Sequence, residues 1–258
     1  MPSKASPQIR LMAAIRQNTA RTAIALAFAL ACIALGSAQD FVGAPGAAAN
    51  LFPKPERPVA GIVSPIWHDE KERDDAGEIQ QVVQLLGIKP GMTVADIGSG
   101  SGYYVVQLAP SVGPDGRIFA EDITPDYLRN LRKRVRDLGL QNVTVVRGEP
   151  HDPRLPAHSL DVAILVHMYH EITQPYGLLY NLASALKPGA RIGIVDALGP
   201  IAKHGTPPEL LRCELAAVGY SEVGFHPLKG SNAYLEIAAA PSDDARTRPQ
   251  AIAACRTQ

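Results

Sequence analysis

Residues 94–104 set what this chain can fold into. Val94, Ala95, Asp96 and Ile97 make an apolar run of strand length, glycines follow at 98, 100 and 102, and a helical pattern opens at Tyr103. Glycine tolerates positive φ and leaves bare backbone for a ligand to approach, and helix-head amides favour an anionic group. The dinucleotide fingerprint Gly-x-Gly-x-x-Gly spaces its third glycine differently. Here the spacing is Gly-x-Gly-x-Gly with Asp96 just ahead of it, and a carboxylate there would repel a pyrophosphate. A strand–turn–helix with glycines kept only for packing is the competing reading.

An acid beside a glycine turn suits a ligand with no phosphate but with an ammonium group, such as S-adenosylmethionine. At these residues the chain resembles the class I S-adenosylmethionine-dependent methyltransferases, whose first motif reads (V/L)-x-D-x-G-x-G-x-G. The resemblance runs from about residue 67 to 238. It implies an α/β, Rossmann-like three-layer sandwich: a seven-stranded, mostly parallel sheet with one antiparallel strand.

The strand and helix patterns agree with that expectation. A helix is expected over 69–86, capped by Asp69 and ended by Gly87, then strands over 93–97, 117–122, 143–147, 160–166 and 191–196. Helices are expected between them, over 103–109, 125–138 and 173–186, and again over 207–218. Two closing strands, 220–226 and 233–238, are separated by a hairpin-length connection. Apolar runs alternating with helical patterns indicate a parallel sheet covered on both faces, with ligand beyond the carboxyl ends of the strands.

Flanking segments read differently. Lys4, Arg10, Arg16 and Arg21 precede an uncharged run over 22–39, and Gly36-Ser37-Ala38 offers a small-residue cleavage site. That order is a secretory signal over 1–38, which would export the domain to the periplasm, with an uncleaved membrane anchor through 22–39 as the alternative. A later true start would leave the protein in the cytoplasm. Residues 39–64, rich in Pro, Gly and Ala, read as a flexible linker. The domain occupies 65–240, and 241–258 reads as a disordered tail.

Lys plus Arg and Asp plus Glu number 25 each, so no basic face is implied and no nucleic-acid partner is expected. The cluster of basic residues over 129–136 reads as a solvated helix face. Cys32, Cys213 and Cys255 form no Cys-x-x-Cys pair and no zinc spacing, so no metal site is expected. A buried free thiol is the expectation for Cys213, with a Cys213–Cys255 bridge as the alternative in an oxidising compartment.

The resemblance assigns the cofactor, S-adenosylmethionine, to Asp96, Gly98, Ser99, Gly100 and Gly102, with Tyr103 and Tyr104 over the methionine end. Asp122 stands at the family's ribose-binding position, next to Glu121. After the third strand Glu149 takes the place of the adenine-facing acid, and because Pro150 lacks an N–H, His151 or Asp152 is expected to substitute for the usual amide. Trp67 and Arg73, in a leading charged segment, are secondary candidates. The acceptor should meet the methyl group near the ends of strands four and five. Strand four ends in His167-Met168-Tyr169-His170-Glu171, which lacks the Asn/Asp-Pro-Pro-Tyr of relatives that methylate DNA or glutamine. His170 with Glu171, or His167, is the expected general base. Asp196 and His204 are secondary pocket candidates. The implied function is methyl transfer to O, N or C of a small molecule; the alternative is an exported, non-catalytic nucleoside-binding module of the same fold.

Overall fold

The computed structural model describes residues 41–62 and 74–256. The leader over 1–38, the anchor reading of 22–39, Cys32, Trp67 and Arg73 lie outside them.

Seven strands form one sheet in the order β3-β2-β1-β4-β5-β7-β6. They are β1 (Thr93–Ile97), β2 (Arg117–Asp122), β3 (Val143–Arg147), β4 (Leu160–Val166), β5 (Leu186–Ala197), β6 (Ser221–Pro227) and β7 (Ala233–Ala239). β1 pairs in parallel with both β2 and β4, and β5 in parallel with β4. β7 runs antiparallel between β5 and β6, so it is the one reversed strand, as expected.

The helices are α1 (Glu78–Leu86), α2 (Tyr103–Val112), α3 (Pro125–Asp137), α4 (Pro175–Ala185) and α5 (Pro208–Val218). Alternation along the strands sorts the core onto two faces. Val94, Ile118, Val162 and Ile164 pack with Val82, Leu108 and Leu131 of α1, α2 and α3. Ala95, Phe119, Ala163 and Leu165 pack with Leu179, Leu182, Leu211 and Leu215 of α4 and α5. The chain leaves β1 toward β3, then returns to lay β4 on the other side of β1. That reversal opens a crevice at the carboxyl ends of β1 and β4, where such sheets take ligands.

Several boundaries differ from the sequence expectation. Gly77, left-handed at φ 63°, resets the first helix, so α1 begins at Glu78. α2 continues past Ala109 with Pro110 in its last turn. β5 begins at Leu186, because a register shift opposite Leu160 and Val162 absorbs the Lys187-Pro188-Gly189 segment that reads as a turn.

The largest corrections concern the flanks. Residues 41–60 are strapped to the domain by specific bonds. Gly43 N donates to Arg154 O (2.6 Å), and Gly46 N donates to the Asp152 carboxylate (2.7 Å). The Asn181 amide takes both the N–H and the carbonyl of Ala47 (2.8 and 3.0 Å). Gly43 and Gly46 are required by contact: a Cβ would sit 2.2 Å from Leu155 O and 2.4 Å from Asn181 Oδ1. Further along, Arg57 Nε meets Glu214 Oε1 at 2.8 Å, both side chains wholly buried, and Tyr169 Oη donates to Glu214 Oε2 at 2.7 Å. Composition suggested flexibility, but each bond here joins residues far apart in sequence.

The segment 241–256 is likewise held. Cys213 of α5 and Cys255 are joined in a disulfide, which corrects the free-thiol expectation. Cys255 N donates to the Tyr176 hydroxyl (2.6 Å), Ile252 is buried, and Arg256 pairs with Glu56 of the opposite strap (2.6 Å). For a loop of sequence separation 42, chain entropy assigns this cross-link about 4 kcal/mol. The double variant Cys213→Ser/Cys255→Ser should unfold at markedly lower urea concentration, by about 3–4 kcal/mol, and parent protein treated with reductant should follow it. Equal urea midpoints for oxidised and reduced protein would contradict this.

Candidate active site

The turn after β1 is held by the ends of β2. Ser99 N donates to Glu121 O (2.8 Å), and Gly100 N donates to Asp122 Oδ2 (2.9 Å). Gly98 N reaches Glu121 Oε2 at 3.3 Å, and Ser99 Oγ donates to Asp96 O at 2.8 Å. Gly98, Gly100 and Gly102 all have positive φ, at 70°, 53° and 81°. Their surroundings differ. A Cβ on Gly98 would strike Met168, and one on Gly102 would strike Leu131 Cδ1 at 2.3 Å, whereas Gly100 has nothing within 4 Å. Gly100 therefore presents bare backbone to open space.

That space is a cavity of about 440 Å³, within the range of small-molecule sites. Its walls include Asp96, Gly98, Ser99, Gly100, Tyr103, Tyr104, Glu121 and Asp122 at one end, and His167, Met168, His170 and Glu171 at the other. Asp96, Glu121 and Asp122 are all buried. Burial holds the Glu121 carboxyl well above the ordinary glutamate range, and the neighbouring Asp122 charge pushes the same way. Its Oε1 is buried with no hydrogen-bond partner, lying where a Cβ on Gly148 would intrude.

At the other end, β4 and β5 deliver the histidines. His170 is buried, and its Nδ1 lies 2.9 and 3.1 Å from the two oxygens of Asp196. Asp196 also accepts from Ala197 N (2.9 Å) and from Thr206 Oγ1 (2.6 Å). An ionised carboxylate only accepts, so Nδ1 carries a hydrogen, and in the neutral ring the lone pair is on Nε2. His167, at φ 51°, places Nε2 2.9 Å from Glu78 Oε2, and Tyr104 Oη donates to the other Glu78 oxygen (2.8 Å). Tyr103 Oη donates to Asp74 (2.7 Å). The two base candidates are arranged alike, His170 held at Nδ1 by Asp196 and His167 at Nε2 by Glu78, and the buried Nδ1 of His167 has no hydrogen-bond partner; His170 has Glu171 beside its other nitrogen.

The structure thus gathers Asp96, Gly98, Ser99, Gly100, Tyr103, Asp122, Glu149, His167, His170 and Glu171 around one cavity. Gly102 packs beneath the turn instead. His151 is a correction: a tight turn pairs Glu149 with Asp152, leaving Glu149 and Pro150 in the wall and His151 against Gly177 of α4, its carbonyl bonded to Asn181. Asp152 is engaged by the amides of Gly46 and Arg154 and does not line the cavity. Sequence reasoning missed Glu78, whose signal was a carboxylate on the apolar stripe Glu78, Val82, Leu86. It also missed Ala60 and Ile62, which the strap brings into the wall.

Residues 88–210 match the family model described as a methyltransferase domain. Over these residues the chain carries a methyltransferase domain, and its sheet has the fold of the class I S-adenosylmethionine-dependent methyltransferases. It is 29% identical over 119 residues to a ubiquinone/menaquinone biosynthesis C-methyltransferase of Ectopseudomonas mendocina, covering 46% of either chain. It is 32% identical over 71 residues to a protein-L-isoaspartate O-methyltransferase of Methanothermobacter thermautotrophicus, covering 28% of this chain and 33% of that one. The chain spans about half the length, or less, of these curated relatives. In fold it is similar to a SAM dependent methyltransferase from Aquifex aeolicus, with a TM-score of 0.60 at 24% identity, covering 68% of this chain and all of that one.

The family's cofactor, S-adenosylmethionine, fits the residues present. Gly100 leaves room against its backbone, and the buried Glu121 Oε1 is an acceptor with no donor. Three carboxyls at the strand ends suit an ammonium and ribose hydroxyls, and would oppose a pyrophosphate. Asp122→Asn should weaken S-adenosylhomocysteine binding by about 10- to 100-fold in calorimetry, the scale of a charged hydrogen bond; unchanged affinity would remove Asp122 from the site. A carboxyl with a raised folded pKa favours the fold at low pH, and that contribution is lost as pH rises through the raised value. Glu121→Gln should therefore melt above the cofactor-free parent at about pH 8, the gap closing towards about pH 4. A gap that widened on acidification would contradict the raised value.

Proposed function

We propose that this protein transfers a methyl group from S-adenosylmethionine to a small-molecule acceptor whose proton passes to His170. The observation that carries this reading is the meeting of two opposed ends in one cavity: an acid-and-glycine end, and a histidine oriented by Asp196. S-adenosylmethionine, when bound, supplies an activated methyl group. Asp96, Glu121, Asp122 and the glycine backbone bind and orient it, and Glu149 flanks its adenine end. His170 Nε2 accepts the proton of a hydroxyl, amine or activated carbon, and Asp196 then faces the imidazolium. Met168, Ile172 and Leu178 line the wall with apolar surface that excludes water.

A small acceptor is supported by the cavity's size and by the strap, whose Ala60 and Ile62 narrow its wall. A relative named as a C-methyltransferase supports carbon as one acceptor atom. The leader-like sequence and the Cys213–Cys255 disulfide together support a location outside the reducing cytosol.

Radiolabelled S-adenosylmethionine, incubated with the purified protein and a small-molecule extract, should place label on an extractable compound. Label in no fraction, from protein that binds S-adenosylhomocysteine, would overturn the proposal. With that acceptor, His170→Ala should lower kcat by about 10²–10⁴-fold while leaving S-adenosylhomocysteine affinity within about twofold. An undiminished kcat would remove the proton-accepting role from His170.

A further inference from the structure

We infer that His170, Glu171 and His204 form a binding site for a divalent cation of zinc's ligand preference. His204 lies in the loop beyond β5, where a 3-10 turn over Ile201–Lys203 delivers it beside the end of β4. The His170 and His204 rings stand edge to face, centroids 5.3 Å apart at 80°. Glu171 Oε1 is 3.9 Å from His170 Nε2. One ligand atom from each residue lies within 4.8 Å of the others, a group of three found among the described residues.

Three further observations favour a cation there. His204 Nδ1 is buried without a hydrogen-bond partner, a cost that a neutral structural histidine would ordinarily avoid. His170 is already oriented as zinc-binding histidines are, its Nδ1–H held by a carboxylate that is itself fixed by Thr206 and Ala197. Two imidazoles and one carboxylate are a donor set that zinc accepts while retaining an open fourth position. Ligand atoms about a tetrahedral zinc stand roughly 3.4 Å apart, so the three need draw together by roughly an ångström. His170 and Glu171 both line the cavity, so the open position would face the acceptor.

This inference rests on the cavity assigned above and adds regulation to it. The Nε2 lone pair cannot both ligate an ion and accept a proton, so cation loading and base action by His170 exclude each other. Divalent metal would hold the enzyme off until removed.

Chelator-stripped full-length protein titrated with Zn²⁺ in a calorimeter should bind a single ion at this site, and Co²⁺ in its place should give the intense visible bands of a tetrahedral centre. His204→Ala and, separately, Glu171→Gln should each weaken binding by at least about tenfold, with melting curves confirming that both variants fold. Asp196→Asn should weaken it by about 10- to 100-fold through loss of orientation. No binding at millimolar Zn²⁺ by protein that still binds S-adenosylhomocysteine overturns this inference and leaves the methyltransferase reading intact. Binding indifferent to both ligand variants also overturns it, since the ion would sit elsewhere. Ligand-dependent zinc binding by protein that fails to bind S-adenosylhomocysteine supports the site and sinks the methyltransferase reading instead.

Discussion

The junction between the ends of β1 and β2 is the constraint on which the site depends. Two adjacent acids on one strand, Glu121 and Asp122, hold the amides of Gly98 and Gly100, and the backbone between them accepts from Ser99. A turn of three positive-φ residues would otherwise have many conformations. Here it has one, because its amides are donated to carboxylates that burial keeps from water. The arrangement stores a cost in Glu121, whose ionised form is opposed by burial and by Asp122 and whose Oε1 has no donor.

The opposite end depends on contacts that reach far across the chain. The strap over 41–60 buries Arg57 beside Glu214, and the same guanidinium reaches the carbonyls of Tyr169 and Ile172. Ala60 N then donates to His170 O (3.0 Å). The loop carrying His170 is thus gripped from outside the sheet, and α5, which supplies Glu214, is tied through Cys213 to the C-terminal segment. Removing one member of a buried ion pair leaves the other uncompensated, which is more costly than the pair's net worth. Strap, helix and disulfide therefore brace the loop that carries His170, the strap through its own bond to the His170 carbonyl.

What could be read from sequence divides along the range of the interaction. The strands were readable because apolar runs are local, and their limits agree to within one residue except where β5 swallows Pro188 and Gly189. Asp96, Gly98, Gly100 and Asp122 were readable because the turn and its acid are encoded within a short stretch on each strand. The strap was not, since Pro-, Gly- and Ala-rich composition is shared by linkers and by segments that press close to a surface. Gly46 is small because Asn181 abuts it, a fact carried by a residue far away in the chain. His204 had the same handicap as a ligand: its spacing from His170 reflects a whole strand and loop, and follows no local motif.

The two ends of the cavity also answer different chemical needs. At the cofactor end, acids cluster, which favours a cation and hydroxyl donors. At the histidine end, the negative charge of Asp196 is set behind His170, spent on Nδ1, Thr206 and its neighbouring amide, while Glu171 lines the wall 3.9 Å from Nε2. An imidazole backed by a carboxylate can take a proton and then has the counter-charge already beside it. The buried acids of β1 and β2 and the histidine backed by Asp196 thus stand at opposite ends of one cavity, and Thr206 and the strap hold the histidine end in place.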